Sequence, residues 1–202
     1  MIKIGLTGSI GMGKSTTAQM FAAEGIAVND ADAVVHALYQ SKAVEPVEAE
    51  FPGVTRKGVI DRVELGRRLA IDPSGFKRLE AIVHPLVQAH EQDFVATQQA
   101  AGADMVVLDI PLLFEVGAEK RVDVIVVVTC DPQIQRERVL ARPGMTPERL
   151  ELILSRQVPD SEKRKRADFL IDTGLGLEAA RARVKTVIAE IRKRAAEGEG
   201  HA

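Results

Sequence analysis

The 202-residue chain is short of several things, and each shortage narrows what it can be. Only one cysteine is present, Cys130, so no intrachain disulfide can form and a reducing compartment suits the chain. That cysteine follows the apolar run 124–129, where a thiol serves as a small buried hydrophobe. Neither sign of charge is in surplus: 27 basic and 29 acidic residues leave a formal net charge of -2. Such a balance gives no electrostatic footprint for a nucleic-acid polymer or an anionic membrane. No apolar run approaches the roughly 20 residues that a bilayer-spanning helix needs. The first residues run straight into a strand pattern with no basic segment ahead of it. A cytoplasmic protein is expected, with neither membrane nor nucleic acid as partner. Also missing is the N-K-x-D stretch that guanine-specific loops commonly carry. Asp72-Pro73-Ser74-Gly75 imitates a D-x-x-G motif but follows a helix pattern rather than a strand, which argues against a GTP-dependent switch.

What is present is apolar content, 46% of the chain, enough for a real core. The most informative stretch is residues 2–16, IKIGLTGSIGMGKST. Within it Gly8-Ser9-Ile10-Gly11-Met12-Gly13-Lys14-Ser15 fits the phosphate-binding pattern G-x-x-x-x-G-K-[ST]. Glycines at 8, 11 and 13 open backbone conformations closed to residues with a Cβ, so successive N–H groups can turn inward around an anion. Lys14 adds a mobile charge for the β- and γ-phosphates, and Ser15 a hydroxyl for Mg²⁺. Ile2, Ile4 and Leu6 read as the strand feeding the loop, and residues 15–24 as a helix whose N-terminus faces the anion. Gly11, Met12, Gly13, Lys14, Ser15 and Thr16 are the expected nucleotide contacts.

Beyond Gly25, a short strand at 26–28 runs into Asn29-Asp30-Ala31-Asp32. Two carboxylates at the C-terminal end of a strand lie where open parallel sheets bind ligands. Each could instead cap the following helix, predicted at 33–40, and one of them is expected to do so. Residues 41–104 show no convincing strand and read as helices at 44–51, 61–71, 75–83 and 85–100. Phe76, Leu79, Ile82 and Val83 follow a period of 3.6, and Pro85 then pushes His84 out of the helical region, making a joint. So long a connection is too great for one crossover and predicts a helical insertion carrying substrate-specific surface. The sheet resumes at 105–108 and ends in Asp109, an acid capping a buried strand and able to hold a metal's water shell opposite Ser15. A fourth strand at 122–129 is nearly all β-branched, as burial on both faces requires. Residues 133–166 are helical and arginine-rich, broken at Pro143-Gly144 into two helices. In a phosphotransferase this is where a closing lid lies. Arg142, at the turn, is its main functional candidate, whereas the cluster 163–166 reads as a solvated face. A fifth strand at 168–171, its exit turn Asp172-Thr173-Gly174 and an amphipathic helix at 177–196 close the chain, and residues 197–202 are expected to fray.

Taken together these motifs resemble the dephospho-CoA kinase family over nearly the whole chain. The matching pieces are LTGSIGMGKST, Asp30-Ala31-Asp32, Ile60-Asp61-Arg62 with Leu65-Gly66, Leu79 to Pro85, Leu108 to Glu115, Arg138 with Arg142, Gln157, and Ala167-Asp168 with Gly174. The resemblance implies transfer of the ATP γ-phosphate to the ribose 3′-hydroxyl of dephospho-CoA, with Mg²⁺, by a monomer or weak homo-oligomer. It implies an α/β P-loop fold of three layers with a five-stranded parallel sheet. The nucleotide core would comprise residues 1–40, 105–132 and 167–202, the helical CoA-side insertion 41–104, and the lid 133–166. By the same resemblance Asp32 is the base that accepts the hydroxyl proton, and Lys14 and Arg142 neutralise the phosphoryl group. Ser15 and Asp109 hold the metal. His84, Asp109, Leu112 and Leu113 line the acceptor pocket. Ser9 and Met12 replace the usual glycine and serine of the loop, at positions where side chains can point outward, so ATP binding is expected to survive, and Thr173 stands where the family often has asparagine. A kinase of another small acceptor, such as a nucleoside monophosphate or a shikimate-like alcohol, would share core and lid, but lacks a reason for the insertion ending in His84-Pro85.

Overall fold

A computed structural model describes residues 1–199, which form two compact units. The larger comprises Met1–Val28 and the chain from Gly102 onward. Its centre is β1 (Ile2–Thr7), flanked in parallel by β5 (Met105–Asp109) and β6 (Val124–Thr129). With β7 (Phe169–Asp172) beyond β6 and β2 (Ala27–Asp30) at the other edge, the five-stranded order is β2-β5-β1-β6-β7. This is the expected parallel α/β sheet.

Alternation along the strands builds the core. Ile4, Leu6, Val107, Val126, Val128 and Ile171 join one buried cluster with Phe21 of helix α1 (Lys14–Ala23) and with Val184, Val187 and Ile191 of α9 (Leu177–Glu199). The intervening Val106, Leu108 and Val127 are equally buried, which is why these strands are apolar throughout. Residues 133–166 belong to this unit. They form three helices where two were expected: α6 (Pro132–Leu140), α7 (Pro147–Leu154) and the short α8 (Asp160–Lys165). α9 is helical through Glu199 and so takes in residues 197–199, where fraying is expected from the sequence. Residues 200–202 lie outside the described ones.

The smaller unit, Asn29–Ala101, packs α2 (Ala31–Leu38), α3 (Val44–Glu50), α4 (Arg62–Ile71) and α5 (Gly75–Ala100) around their own core of Val34, Leu38, Val47, Phe51, Leu65 and Leu69. Two expectations fail here. Strands β3 (Thr55–Arg56) and β4 (Val59–Ile60) form an antiparallel hairpin over Lys57-Gly58, both at positive φ, 50° and 79°. Two-residue strands are too short to leave an alternating pattern, and the Lys-Gly turn was the only cue. Nor is His84-Pro85 a joint, because α5, 26 residues in all, runs on through Pro85. An internal proline costs a helix about 3 kcal/mol. Val83, and in part Leu79, Ile82, Leu86 and Val87, are buried on either side of it against the unit's core, at up to about 1.5–3 kcal/mol each. Packing of one continuous face therefore outweighs the lost hydrogen bond. Among the described residues no helix is long and apolar enough to cross a membrane.

Candidate active site

The loop after β1 is shaped by its glycines in two different ways. Gly11 and Gly13 lie at φ 79° and 90°, where a Cβ is strained. Gly8 does not share that conformation, and its role is space: a Cβ there would lie 2.7 Å from the Val128 carbonyl oxygen of β6. α1 then begins at Lys14 with Gly13 as N-cap and no side chain capping it. Side chains of Asp30, Asp61, Asp131 and Thr146 cap α2, α4, α6 and α7, whereas α3, α5 and α8, like α1, have no side-chain cap. What sets α1 apart is the glycine loop that precedes its uncapped first-turn amides, an arrangement suited to an anionic ligand.

The loop is held from behind. The Ile10 N–H donates to Gln157 Oε1 at 3.2 Å, and the Ile10 carbonyl accepts from Gln135 Nε2 at 2.7 Å. The Met12 carbonyl accepts from Thr173 Oγ1 at 2.7 Å. Ser9 and Met12 point inward, although outward positions are open to residues of such a loop. They are 4% and 1% exposed, and Met12 Sδ meets Cys130 Sγ at 3.4 Å inside the core. Inward packing of these two side chains is what leaves the loop's backbone to form the ligand face. Burial also pushes the Cys130 thiol up from its ordinary value, so it is inert.

Across the loop, Asp109 ends β5 in register with Leu6 and is 2% exposed. It forms an ion pair with Lys14 Nζ. Charges of both signs are thereby concentrated where a phosphate chain and its cation would enter. A cavity of about 350 Å³ opens beside the loop, lined by Gly11, Gly13 and Thr16 on the loop side and by Arg138, Arg142 and Thr173 from the elements around it. A larger hollow of about 520 Å³ at Cys130, Asp160, Ser161 and Arg164 touches no loop residue; the smaller cavity is the one with the chemistry.

The sequence model of the dephospho-CoA kinase family matches residues 2–178. The chain belongs to this family. It is 62% identical to a dephospho-CoA kinase of Rhizobium etli over 199 residues, 98% of each chain. Among solved structures it resembles a Thermus thermophilus protein with TM-score 0.81 and 36% identity, covering 94% and 97% of the two chains. It also resembles the dephospho-CoA kinase of Campylobacter jejuni, with TM-score 0.72 and 26% identity, covering 95% and 97%.

Of the site residues expected in a member of this family, the larger unit gathers Gly11 to Thr16, Asp109 and Arg142. Leu112, in the loop after β5, is 41% exposed, whereas Leu113 is fully buried and packs beneath Gly5, where a Cβ would come within 2.7 Å of it. Leu113 is a core residue in this arrangement. Asp32 and His84 belong to the smaller unit and both are exposed. Asp32 lies in the first turn of α2, and His84 lies on α5. Three contributors were not singled out from sequence: Gln135, which holds Ile10, Thr173 as a loop contact, and Lys163. The last was expected in a solvated cluster, yet it is fully buried, 2.9 Å from Glu115. Each of these contacts spans tens of residues, leaving no periodic trace.

Proposed function

We propose that the enzyme transfers the γ-phosphoryl group of ATP to the ribose 3′-hydroxyl of dephospho-CoA, releasing CoA and ADP. The observation that carries this reading is the loop with its uncapped helix beside the Lys14–Asp109 pair. The amides of Gly13 to Thr16 bind the phosphate chain. Lys14 exchanges its carboxylate partner for the β- and γ-phosphate oxygens, and Arg142 spreads the charge that develops on the transferring group.

Ser15 at the start of α1 and Asp109 at the end of β5 offer hard oxygen donors of the kind Mg²⁺ takes. No group of three or more acidic, His or Cys side chains suited to a metal occurs among the described residues. That fits an ion bound by one or two protein groups with phosphates and waters supplying the rest. When bound, Mg²⁺ would neutralise charge on the phosphate chain.

Asp32 accepts the proton of the attacking hydroxyl. The division of labour in Asp30-Ala31-Asp32 supports this role. Asp30 Oδ1 accepts the N–H groups of Asp32 and Ala33 at 2.9 and 3.1 Å, so the cap is already provided. The Asp32 carboxylate is exposed and has no protein partner among the described residues. His84 and Leu112 contribute to holding the acceptor. The test is incubation of the pure protein with MgATP and dephospho-CoA, following CoA and ADP by chromatography, with a nucleoside monophosphate as control acceptor. CoA formation is expected; turnover of the monophosphate alone would overturn the reading.

A further inference from the structure

We propose that Thr173 is a positioning residue of the nucleotide site, whose single hydroxyl fixes the spacing between the phosphate loop and Arg138 and thereby sets affinity for MgATP. The inference rests on the ATP reading of the cavity and adds to it a residue outside the loop.

Thr173 follows the last strand residue, Asp172, and is anchored there: its N–H donates to the Thr129 carbonyl at 2.9 Å. Its hydroxyl has one proton and two lone pairs, and the structure uses both functions. The proton goes to the Met12 carbonyl at 2.7 Å, since the alternative acceptor, Thr129 O, is at 3.4 Å. A lone pair accepts from Arg138 Nη1 at 2.8 Å, while Arg138 Nη2 donates to the Thr173 carbonyl at 2.9 Å. The fork of one guanidinium thus closes on one residue, and that residue closes on the loop. The methyl group contributes as well. A Cβ built on Gly13 would meet Thr173 Cγ2 at 3.1 Å, so the side chain packs directly behind the turn that starts α1. Thr173 is 9% exposed, and Thr173, Gly13 and Arg138 all line the 350 Å³ cavity.

Two consequences follow from this chemistry. The hydroxyl is spent on loop and arginine, so its contribution to the ligand passes through them. An arginine hydrogen-bonded at two points also presents a fixed cationic plane instead of a mobile one, and a fixed donor loses less entropy when a ligand engages it. Replacing Thr173 by valine keeps shape and methyl packing but removes both hydroxyl bonds. Replacing it by serine keeps the hydroxyl.

The experiment compares full-length wild type, Thr173→Val and Thr173→Ser by calorimetric titration with MgATP without acceptor, and by steady-state kinetics with dephospho-CoA. Thr173→Val is expected to weaken MgATP binding and raise its KM by about tenfold or more, the scale of a hydrogen bond to a charged group. KM for dephospho-CoA should stay within twofold, and Thr173→Ser should recover ATP affinity to within threefold of wild type. In an Arg138→Met background the valine substitution should cost less than it does alone, because the two residues share one contact. A Thr173→Val protein with wild-type ATP affinity, whether or not its melting temperature falls, overturns the proposal. So does a serine variant as weak as the valine, or strictly multiplicative effects with Arg138→Met. Failure of the wild type to make CoA would instead strike at the function itself, while the titration with MgATP still decides the role of Thr173.

Discussion

Lys163→Met provides the sharpest test of the packing around the sheet. The ammonium is 0% exposed and lies 2.9 Å from Glu115 Oε1, on a glutamate side chain only 13% exposed. The same Glu115 oxygen accepts the Val158 N–H at 2.8 Å. The approach of Nζ lacks hydrogen-bond geometry, and Glu115 Oε2 is buried with no donor. The two ions are therefore held chiefly by their charge, and without the lysine the carboxylate keeps the Val158 N–H alone among the described residues. Methionine matches the length of the lysine stem but strands the carboxylate, at a cost of about 3–5 kcal/mol, the scale of breaking a buried pair from one side. For a chain of this size, each kcal/mol moves the midpoint by roughly 2–4 °C, so Tm should fall by about 6–20 °C. Glu115→Gln added to Lys163→Met removes the stranded charge and leaves an oxygen for Val158, and should recover at least half of the loss. Circular-dichroism melts and urea titrations of the three proteins decide it. A single variant melting within about 3 °C of wild type refutes the argument, as does a double variant no better than the single one.

Further outcomes are expected at the site and in the smaller unit. Asp32→Asn should lower kcat by about 10²-fold or more while leaving MgATP binding intact; near-normal turnover, measured as CoA formed, would make Asp32 a positioning group. Lys14→Met should reduce kcat/KM by about 10²–10³-fold, the usual effect of deleting a charge-stabilising donor, and a loss under tenfold in the same assay would contradict its role. Hydrogen bonds first from Arg67 and then from Arg68 hold the Glu64 carboxyl down from 4.5 to about 2. The folded state therefore releases this proton more readily than the unfolded one. Its contribution is complete above the ordinary carboxylate range and is lost as pH falls toward about 2. Glu64→Gln should narrow the difference in melting temperature between pH 6 and pH 3, and added salt should narrow it in the wild type, since the pair is solvent-facing.

Where a local pattern dictated structure, the sequence was readable. Alternating and continuous apolar runs marked the five strands of the main sheet, and G-x-x-x-x-G-K-S marked the loop because its backbone demands are local. Asp131 caps α6 and Pro132 stands in its first turn, both signals that are local in the sequence. Reading failed where distant packing overrides local preference. Pro85 signals a break, yet the face it interrupts is buried as one surface. Lys163 looks solvated among Arg164, Lys165 and Arg166, and only the placement of Glu115, 48 positions earlier, explains its burial. Nothing local tells that Ser9 and Met12 turn inward; the contact of Met12 Sδ with Cys130 Sγ, 118 positions later, draws Met12 in.

The same contacts give Arg138 and Arg142 different roles. Arg138 is tied at both terminal nitrogens to Thr173, and its helix α6 is tied by Gln135 to Ile10 of the loop. Arg142 lies beyond the end of α6, ahead of Gly144 at φ 73°, and its guanidinium has no protein partner among the described residues. A fixed cation defines where a nucleotide rests, and its contribution should appear mainly in binding. A cation still free to reorient can follow charge as it builds on the transferring phosphoryl, and its contribution should appear mainly in kcat. If residues 133–166 act as a lid, the attachments of α6 to the loop place the moving part after Arg138. The turn 141–146 would then carry Arg142 toward the cavity that Arg138, held by Thr173, already lines.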